Sequence, residues 1–272
     1  LALRASALLL ASALSAFACS KNEAEQKKDP WLAAPTSSAA RAAKLSRYRV
    51  DTRCEMRISL PAKDATPRGT ARVCRGELEV DLFDLEKTTG TIQVDLGSIE
   101  MDAEGDGGAS TDFTRTAQNW LDLGSSRPEA ERERQRWATF TLGNVEDLSA
   151  ERASEGKRTK TTGDLAVDVD GGPRTETRSV TLTAKGTLQL HGVRVDAELP
   201  IKADFHFPEA AAPDVRPDRI ELTSRRPLVV SLAQHEIKPR NAQGVFVAAE
   251  TKLIGTTIGK DAKVTLSVSL KP

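Results

Sequence analysis

Few residues in this sequence are of the types that carry covalent or acid–base chemistry. Its 272 residues include three histidines, His191, His206 and His235, and three cysteines, Cys19, Cys54 and Cys74. Nucleophilic catalysis needs a Ser, Cys or Thr held against a base, and a metal site needs clustered His, Cys or carboxylate ligands. Neither pattern is written here. There is no G-x-S-x-G and no C-x-x-C, and the histidines are scattered. His191 adjoins Gly192 and reads as a turn residue, while His206 and His235 fall in the polar phase of their strands and are expected at the surface. The run Gly255-Thr256-Thr257-Ile258-Gly259-Lys260 lacks the spacing of a phosphate loop, and Asp261 stands where a Ser or Thr is required. The expectation is a protein with no catalytic residues, no metal ligands and no cofactor, and not an enzyme.

The cysteines point to export. Residues 1–18 read as a signal peptide, with Arg4 in a short basic region, an apolar stretch from Ala7 to Leu14, and the small residues Ala16 and Ala18 before Cys19. Ala16-Phe17-Ala18-Cys19 resembles a bacterial lipobox, in which the Cys is lipidated and becomes the first mature residue, although Ala16 stands where Leu is usual. The alternative is an ordinary secretory peptide cleaved nearby. Ser20, rather than Asp, implies outer-membrane sorting under the enterobacterial rule. The expected location is therefore the periplasmic side of a bacterial envelope, with membrane attachment through the N-terminal lipid. Once Cys19 is used, Cys54 and Cys74 remain as an even pair in an oxidising compartment, so a disulfide is expected between them, with two buried thiols as the alternative. Residues 19–46 are rich in Ala, Ser and Lys, hold Pro30 and Pro35 and show no sustained apolar period. They read as a lipidated Cys and flexible tether carrying a lone aromatic, Trp31.

Composition narrows the partners. The chain balances 39 basic against 39 acidic side chains, interspersed along nearly every segment, so no basic face for a nucleic-acid partner is apparent. Aromatic residues make up 4%, so the core must be built from Val, Leu, Ile and Ala. No protein partner is legible.

The elements follow from periodicity. Ser179 to Phe207 alternates cleanly: Val180, Leu182, Ala184, Leu188 and Leu190 share one face, then Val195, Ala197, Leu199, Ile201, Ala203, Phe205 and Phe207 share one after His191-Gly192. That predicts an antiparallel hairpin wet on one side. From Arg47 onward further strands are signalled by Tyr48, Val50, Met56 and Ile58, by Cys74, Leu78, Val80 and Leu82, and by Ile92, Val94 and Leu96. Phe140 and Leu142 mark another within Trp137 to Val145. Leu228, Val230 and Leu232, then Phe246 and Ala248, and finally Val264, Leu266, Val268 and Leu270 complete the set. Phe113, Ala117, Trp120 and Leu121 recur at helical spacing, with Thr111 or Asp112 as cap, and predict the one convincing helix. Arg127 to Arg136 reads as a solvated charge run that could form one exposed helical turn. Ser149 to Thr177 reads as a long loop or protruding hairpin around Leu165, Val167 and Val169, with a solvated basic cluster from Arg152 to Lys160. About eight strands with one short helix indicate an all-β antiparallel barrel or sandwich over residues 47–272.

Gly186-Thr187-Leu188-Gln189-Leu190-His191-Gly192-Val193 is similar to the G-x-L-T-I-H-G-V hairpin of the YceI-like, polyisoprenoid-binding family. Tyr48-x-Val50-Asp51, Gly76, Ser98-Ile99, Asn119-Trp120-Leu121-Asp122 and Ile258-Gly259 fit that family's order. The family's usual His-Ser pair is replaced by Cys54 and Glu55. The resemblance implies an extended lipocalin-like barrel of eight antiparallel strands that binds an isoprenoid or fatty-acyl lipid without chemistry. Strand parity nominates Phe140, Leu142, Leu188, Leu190, Leu199, Ile201, Phe205, Val230 and Leu232 as the lining. The alternative function is a structural envelope lipoprotein whose barrel is filled by its own side chains.

Overall fold

The computed structural model describes residues 45–61, 66–102, 110–160, 175–208, 215–238, 240, 252–253, 256–257 and 259–272. The signal segment, Cys19, Trp31 and nearly all of the tether lie outside these residues, as do Leu165, Val167, Val169, Phe246 and Ala248.

The strands, in chain order, are β1 (Leu45–Ser59), β2 (Arg68–Ala71), β3 (Cys74–Asp81), β4 (Thr89–Asp95), β5 (Glu100–Asp102), β6 (Trp137–Glu146) and β7 (Lys157–Lys160). They continue with β8 (Thr175–Leu190), β9 (Val193–Pro208), β10 (Arg219–Ser224), β11 (Leu228–Ser231), β12 (Lys252–Leu253), β13 (Thr256–Thr257) and β14 (Asp261–Lys271). Two helices, α1 (Thr111–Trp120) and α2 (Glu129–Gln135), lie between β5 and β6.

β8 and β9 pair along their whole length, from Leu190 opposite Val193 to Thr175 opposite Pro208. The turn between them is two residues long, with φ of 51° at His191 and 76° at Gly192. Two left-handed residues give a turn whose twist matches that of the flanking strands, and this is why a glycine follows the histidine. Leu199, Ile201, Ala203, Phe205 and Phe207 are buried, and Arg194, Asp196, Glu198 and Lys202 are exposed, as the alternation requires. Gly186 is needed because a Cβ there would collide with the backbone carbonyl of Thr141.

The sheet closes on itself. Neighbours run β1, β3, β4, β6, β8, β9, β10, β14 and back to β1, each pair antiparallel, which makes a closed barrel of eight strands. β2 and β5 prolong β3 and β4 past breaks at Arg72-Val73 and at a 3-10 turn over Leu96–Ser98. β11 prolongs β10 past Arg225-Arg226-Pro227, so β14 pairs first with one and then with the other.

Several expectations are corrected. Strand β1 begins at Leu45, two residues before the expected start. The strand β10 was not anticipated: its alternating Ile220 and Leu222 are few, and Pro217 and Pro227 flank it. Helix α1 is capped by Ser110, whose Oγ accepts from the Phe113 N–H at 3.4 Å, rather than by Thr111 or Asp112. A second helix, α2, forms in the charge run. It has no buried residue, starts after Pro128 and carries pairs between Arg127 and Glu131 (3.8 Å) and between Glu133 and Arg136 (3.0 Å). Ion pairs at this spacing across the two ends of the helix support it without any apolar stripe. Within the stretch read as a long loop or protruding hairpin, Lys157–Lys160 pairs antiparallel with β8, as the hairpin alternative expects, and Ala153 is buried.

Candidate functional site

Three cavities follow one another along the barrel. The first, about 110 Å³, lies under α1 and is bounded by Ala117, Trp120 and Leu121 of the helix, by Ile237, and by strand residues including Leu190 and Val230. The second, also about 110 Å³, shares Met56, Ala138, Leu188, Leu228 and Val264 with it. The third, about 60 Å³, shares Leu78, Leu142, Ala184, Ile201 and Leu222 with the second. Shared walls make them successive chambers of one tube. Along β8 the tube runs from Leu190 to Leu182, which at the usual strand rise and barrel tilt is about 20 Å of depth.

The walls are almost wholly aliphatic. Ser224 and Thr88 are the hydroxyl residues among them. Ser224 Oγ is already engaged, accepting from the Leu266 N–H at 2.9 Å and donating to the Leu266 carbonyl at 3.2 Å. A site of this kind favours hydrocarbon and offers almost nothing to hold a polar substrate in register.

One end is sealed. Beyond the third chamber lie Val180, Arg178 and Phe207, with Tyr48 beside them, all under 2% exposed. Arg178 Nε donates to Glu176 Oε1 at 2.9 Å and its guanidinium sits 4.3 Å from the Phe207 ring centre. Arg158 approaches the same carboxylate at 3.2 Å. Tyr48 donates to the Pro217 carbonyl at 3.1 Å, and burial pushes its phenol up to about 12. Sequence reasoning missed this inward pair, although Glu176 and Arg178 share the parity of Val180.

The other end is tied by polar contacts. Asp122, at the end of α1, accepts from Arg127 (2.9 Å) and His191 Nε2 (3.0 Å) and pairs with Arg240 Nε (2.9 Å). Burial works against its charge, but the His191 hydrogen bond and the two guanidinium groups outweigh it and hold the carboxyl below its usual range. His191 Nδ1 lies 3.2 Å from the His235 carbonyl, and His235 Nδ1 lies 3.3 Å from the Leu190 carbonyl. Trp120 Nε1 donates to the Arg240 carbonyl at 3.2 Å. These bonds join helix, hairpin turn and the segment after β11. They place no Ser, Cys or Thr nucleophile against His191.

His235 departs from expectation. It is 2% exposed, because it sits on a turn after β11 that docks on the hairpin rather than on the polar face of a strand. Burial lowers its pKa from the ordinary histidine value. His206 is half-buried, with Nε2 3.3 Å from Glu221 and Nδ1 3.1 Å from the Thr177 hydroxyl. No group of three or more His, Cys, Asp or Glu among the described residues is placed to hold a metal ion.

The nine residues nominated by parity all line the tube. Leu190, Val230 and Leu232 wall the first chamber, Phe140 and Leu199 the second and Phe205 the third, while Leu188, Leu142 and Ile201 each border two. The same rule applied to β1 and β14 would have added Met56, Ile58, Val264 and Leu266. Trp120, Leu121 and Ile237 come from a helix and a turn, where strand parity has no meaning. Cys54 and Cys74 are bonded to each other, with their Cα atoms 6.0 Å apart.

No family model matches this sequence, and no curated protein matches it. Among solved structures the chain is similar to a polyisoprenoid binding domain from Saccharophagus degradans implicated in plant cell wall breakdown. That likeness is 15% identical over 84% of this chain and 99% of the other, with a TM-score of 0.45. It is also similar to Burkholderia cenocepacia BcnA, 10% identical over 81% of this chain and 98% of the other, again with a TM-score of 0.45.

Proposed function

We propose that the barrel takes up one long apolar chain, of isoprenoid or fatty-acyl type, and releases it unchanged. The observation that supports this most directly is the three-chambered aliphatic tube. Left empty, cavities of these volumes cost roughly 24 cal/mol per Å³, or about 7 kcal/mol in all. A core meant only to be solid would be filled by larger side chains. Burying about ten methylenes returns roughly 8 kcal/mol, nominally micromolar affinity before the costs of association, which suits a reversible carrier. The reading further places the protein on the periplasmic side of a bacterial envelope, held at the membrane by lipid on Cys19. Stable attachment there needs more than a single acyl chain.

The experiment is mass spectrometry of an organic extract of protein purified from its native host, alongside uptake of a fluorescent long-chain fatty acid by the delipidated protein. A co-purifying long-chain lipid and saturable uptake are expected. Absence of both a co-purifying lipid and uptake would overturn the carrier reading. The anchor is tested separately, by labelled fatty-acid incorporation into the full-length chain and into Cys19→Ala; equal labelling would refute lipidation.

A further inference from the structure

Among the described residues, β9 and β11 are not joined by a strand ladder. β9 and β10 are paired from His206 and Arg219 to Ile201 and Ser224, and a last bond runs from the Arg225 N–H to the Pro200 carbonyl at 2.8 Å. There the ladder stops on both sides. Pro200 has no N–H to give, and Arg225-Arg226-Pro227 turns the chain away before β11 resumes on β14. The alternation that aims the Pro200 carbonyl at Arg225 aims the backbone groups of Glu198, Asp196 and Arg194 the same way. Among the described residues, none of these groups makes a backbone hydrogen bond across to β11.

The gap is framed, not ragged. Below it is the Arg225–Pro200 bond. Above it the turn after β11 is tied to the hairpin by His235 Nδ1 at the Leu190 carbonyl and by His191 Nδ1 at the His235 carbonyl. Its sides are the edges of β9 and β11, which have no strand partner there among the described residues. The outward side chains of Arg194, Asp196 and Glu198 keep the β9 edge charged and exposed, which discourages pairing with another strand. Behind the gap is the first chamber. At that level its wall passes from Leu188 and Leu190 on β8 to Leu228 and Val230 on β11 with no β9 side chain between them. The half-buried Val193, Val195 and Ala197 stand beside the opening.

We propose that this side window between β9 and β11 is the route by which the apolar chain enters and leaves the tube. The inference rests on the carrier reading above and adds the path. It requires no unfolding of the barrel, because the polar backbone groups that a passing hydrocarbon would have to break from their partners are already without strand partners.

The test bridges the window from outside. On β14 the register shifts by two residues between β10 (Thr223 opposite Ser267) and β11 (Leu228 opposite Val264), and carrying the β9–β10 register through that shift places Glu198 opposite Val229; both are exposed and line no chamber. The double variant Glu198→Cys/Val229→Cys is joined with a short bis-maleimide, and transfer of a fluorescent long-chain fatty acid to and from phosphatidylcholine vesicles is timed before and after joining. The expected result is that the unbridged variant exchanges at the wild-type rate, while bridging slows both loading and release about tenfold or more and leaves the equilibrium affinity within about twofold. Equal exchange rates before and after bridging would overturn the side route and leave the carrier reading standing. Absence of uptake by wild-type protein would overturn the carrier reading, and the route with it.

Discussion

Cys54 is bonded to Cys74 at the place where β1 changes partners. β1 pairs with β3 as far as Arg49 and with β2 from Met56 onward, and its register on β14 is irregular between Val50 and Cys54. The bridge therefore closes the stretch of wall where the ladder on that side is missing. With the cysteines 20 residues apart in sequence, its removal in Cys54→Ala/Cys74→Ala should cost about 3 kcal/mol in the chain-entropy account. Urea unfolding of the oxidised wild type and the double variant measures this. Two free thiols in the denatured, unreduced protein would show that the bridge does not form.

On the carrier reading, filling the tube should weaken lipid uptake without harming the fold. Leu190→Trp projects into the first chamber and Ile201→Trp lies between the second and third. In a solid core either change would overpack and destabilise by about 1 to 3 kcal/mol. Here both variants should unfold at or above the wild-type midpoint and take up the fatty-acid probe more weakly. A clear loss of stability in both, with uptake unchanged, would mean that these side chains do not face open volume.

Asp122 should show itself in acid. Its folded carboxyl is held below the ordinary value of 3.8, so the folded state binds fewer protons than the unfolded state between those two values. The resulting stability is fully present above pH 3.8 and is lost as pH falls through the folded value. Asp122→Asn should be less stable than wild type at neutral pH, and the difference should shrink below pH 3.8. Urea midpoints taken at intervals from pH 7 downward decide it; a difference that stays constant would exclude the linkage.

The inward ion pair gives an asymmetric prediction. Arg178→Met takes from the buried Glu176 carboxylate the nearer of the guanidinium groups of Arg178 (2.9 Å) and Arg158 (3.2 Å), and should cost roughly 3 kcal/mol. Glu176→Gln/Arg178→Met removes both charges and should recover most of that loss. If the double variant is as unstable as the single one, the penalty lies in packing against Phe207 rather than in charge.

What could be read from the residues depended on the length of uninterrupted alternation. The β8–β9 hairpin was legible because sixteen-residue strands repeat the period many times, and its two turn residues mark the reversal without ambiguity. β10 has six residues between prolines, too few cycles for the same signal. α2 has no apolar face, so a search for amphipathic spacing passes over it. His235 was misplaced because Leu228, Val230 and Leu232 suggest a strand running on, whereas the chain turns after Ser231. The nine nominated lining residues came from parity alone. Parity cannot report volume, however, and whether facing side chains meet or leave a gap depends on strand tilt and stagger that no single segment encodes.

The sealed end has a consequence for selectivity. On the carrier reading proposed above, a passage blocked at its foot by Arg178, Phe207 and Tyr48 would work as a ruler. A guest that stops short of the third chamber forgoes about 0.8 kcal/mol for every methylene it lacks. A guest that is too long must leave its surplus in water, where the extra carbons add nothing. Affinity should thus climb with chain length and then level off at the length that touches bottom, so that one protein could sort members of a homologous lipid series whose polar ends are identical.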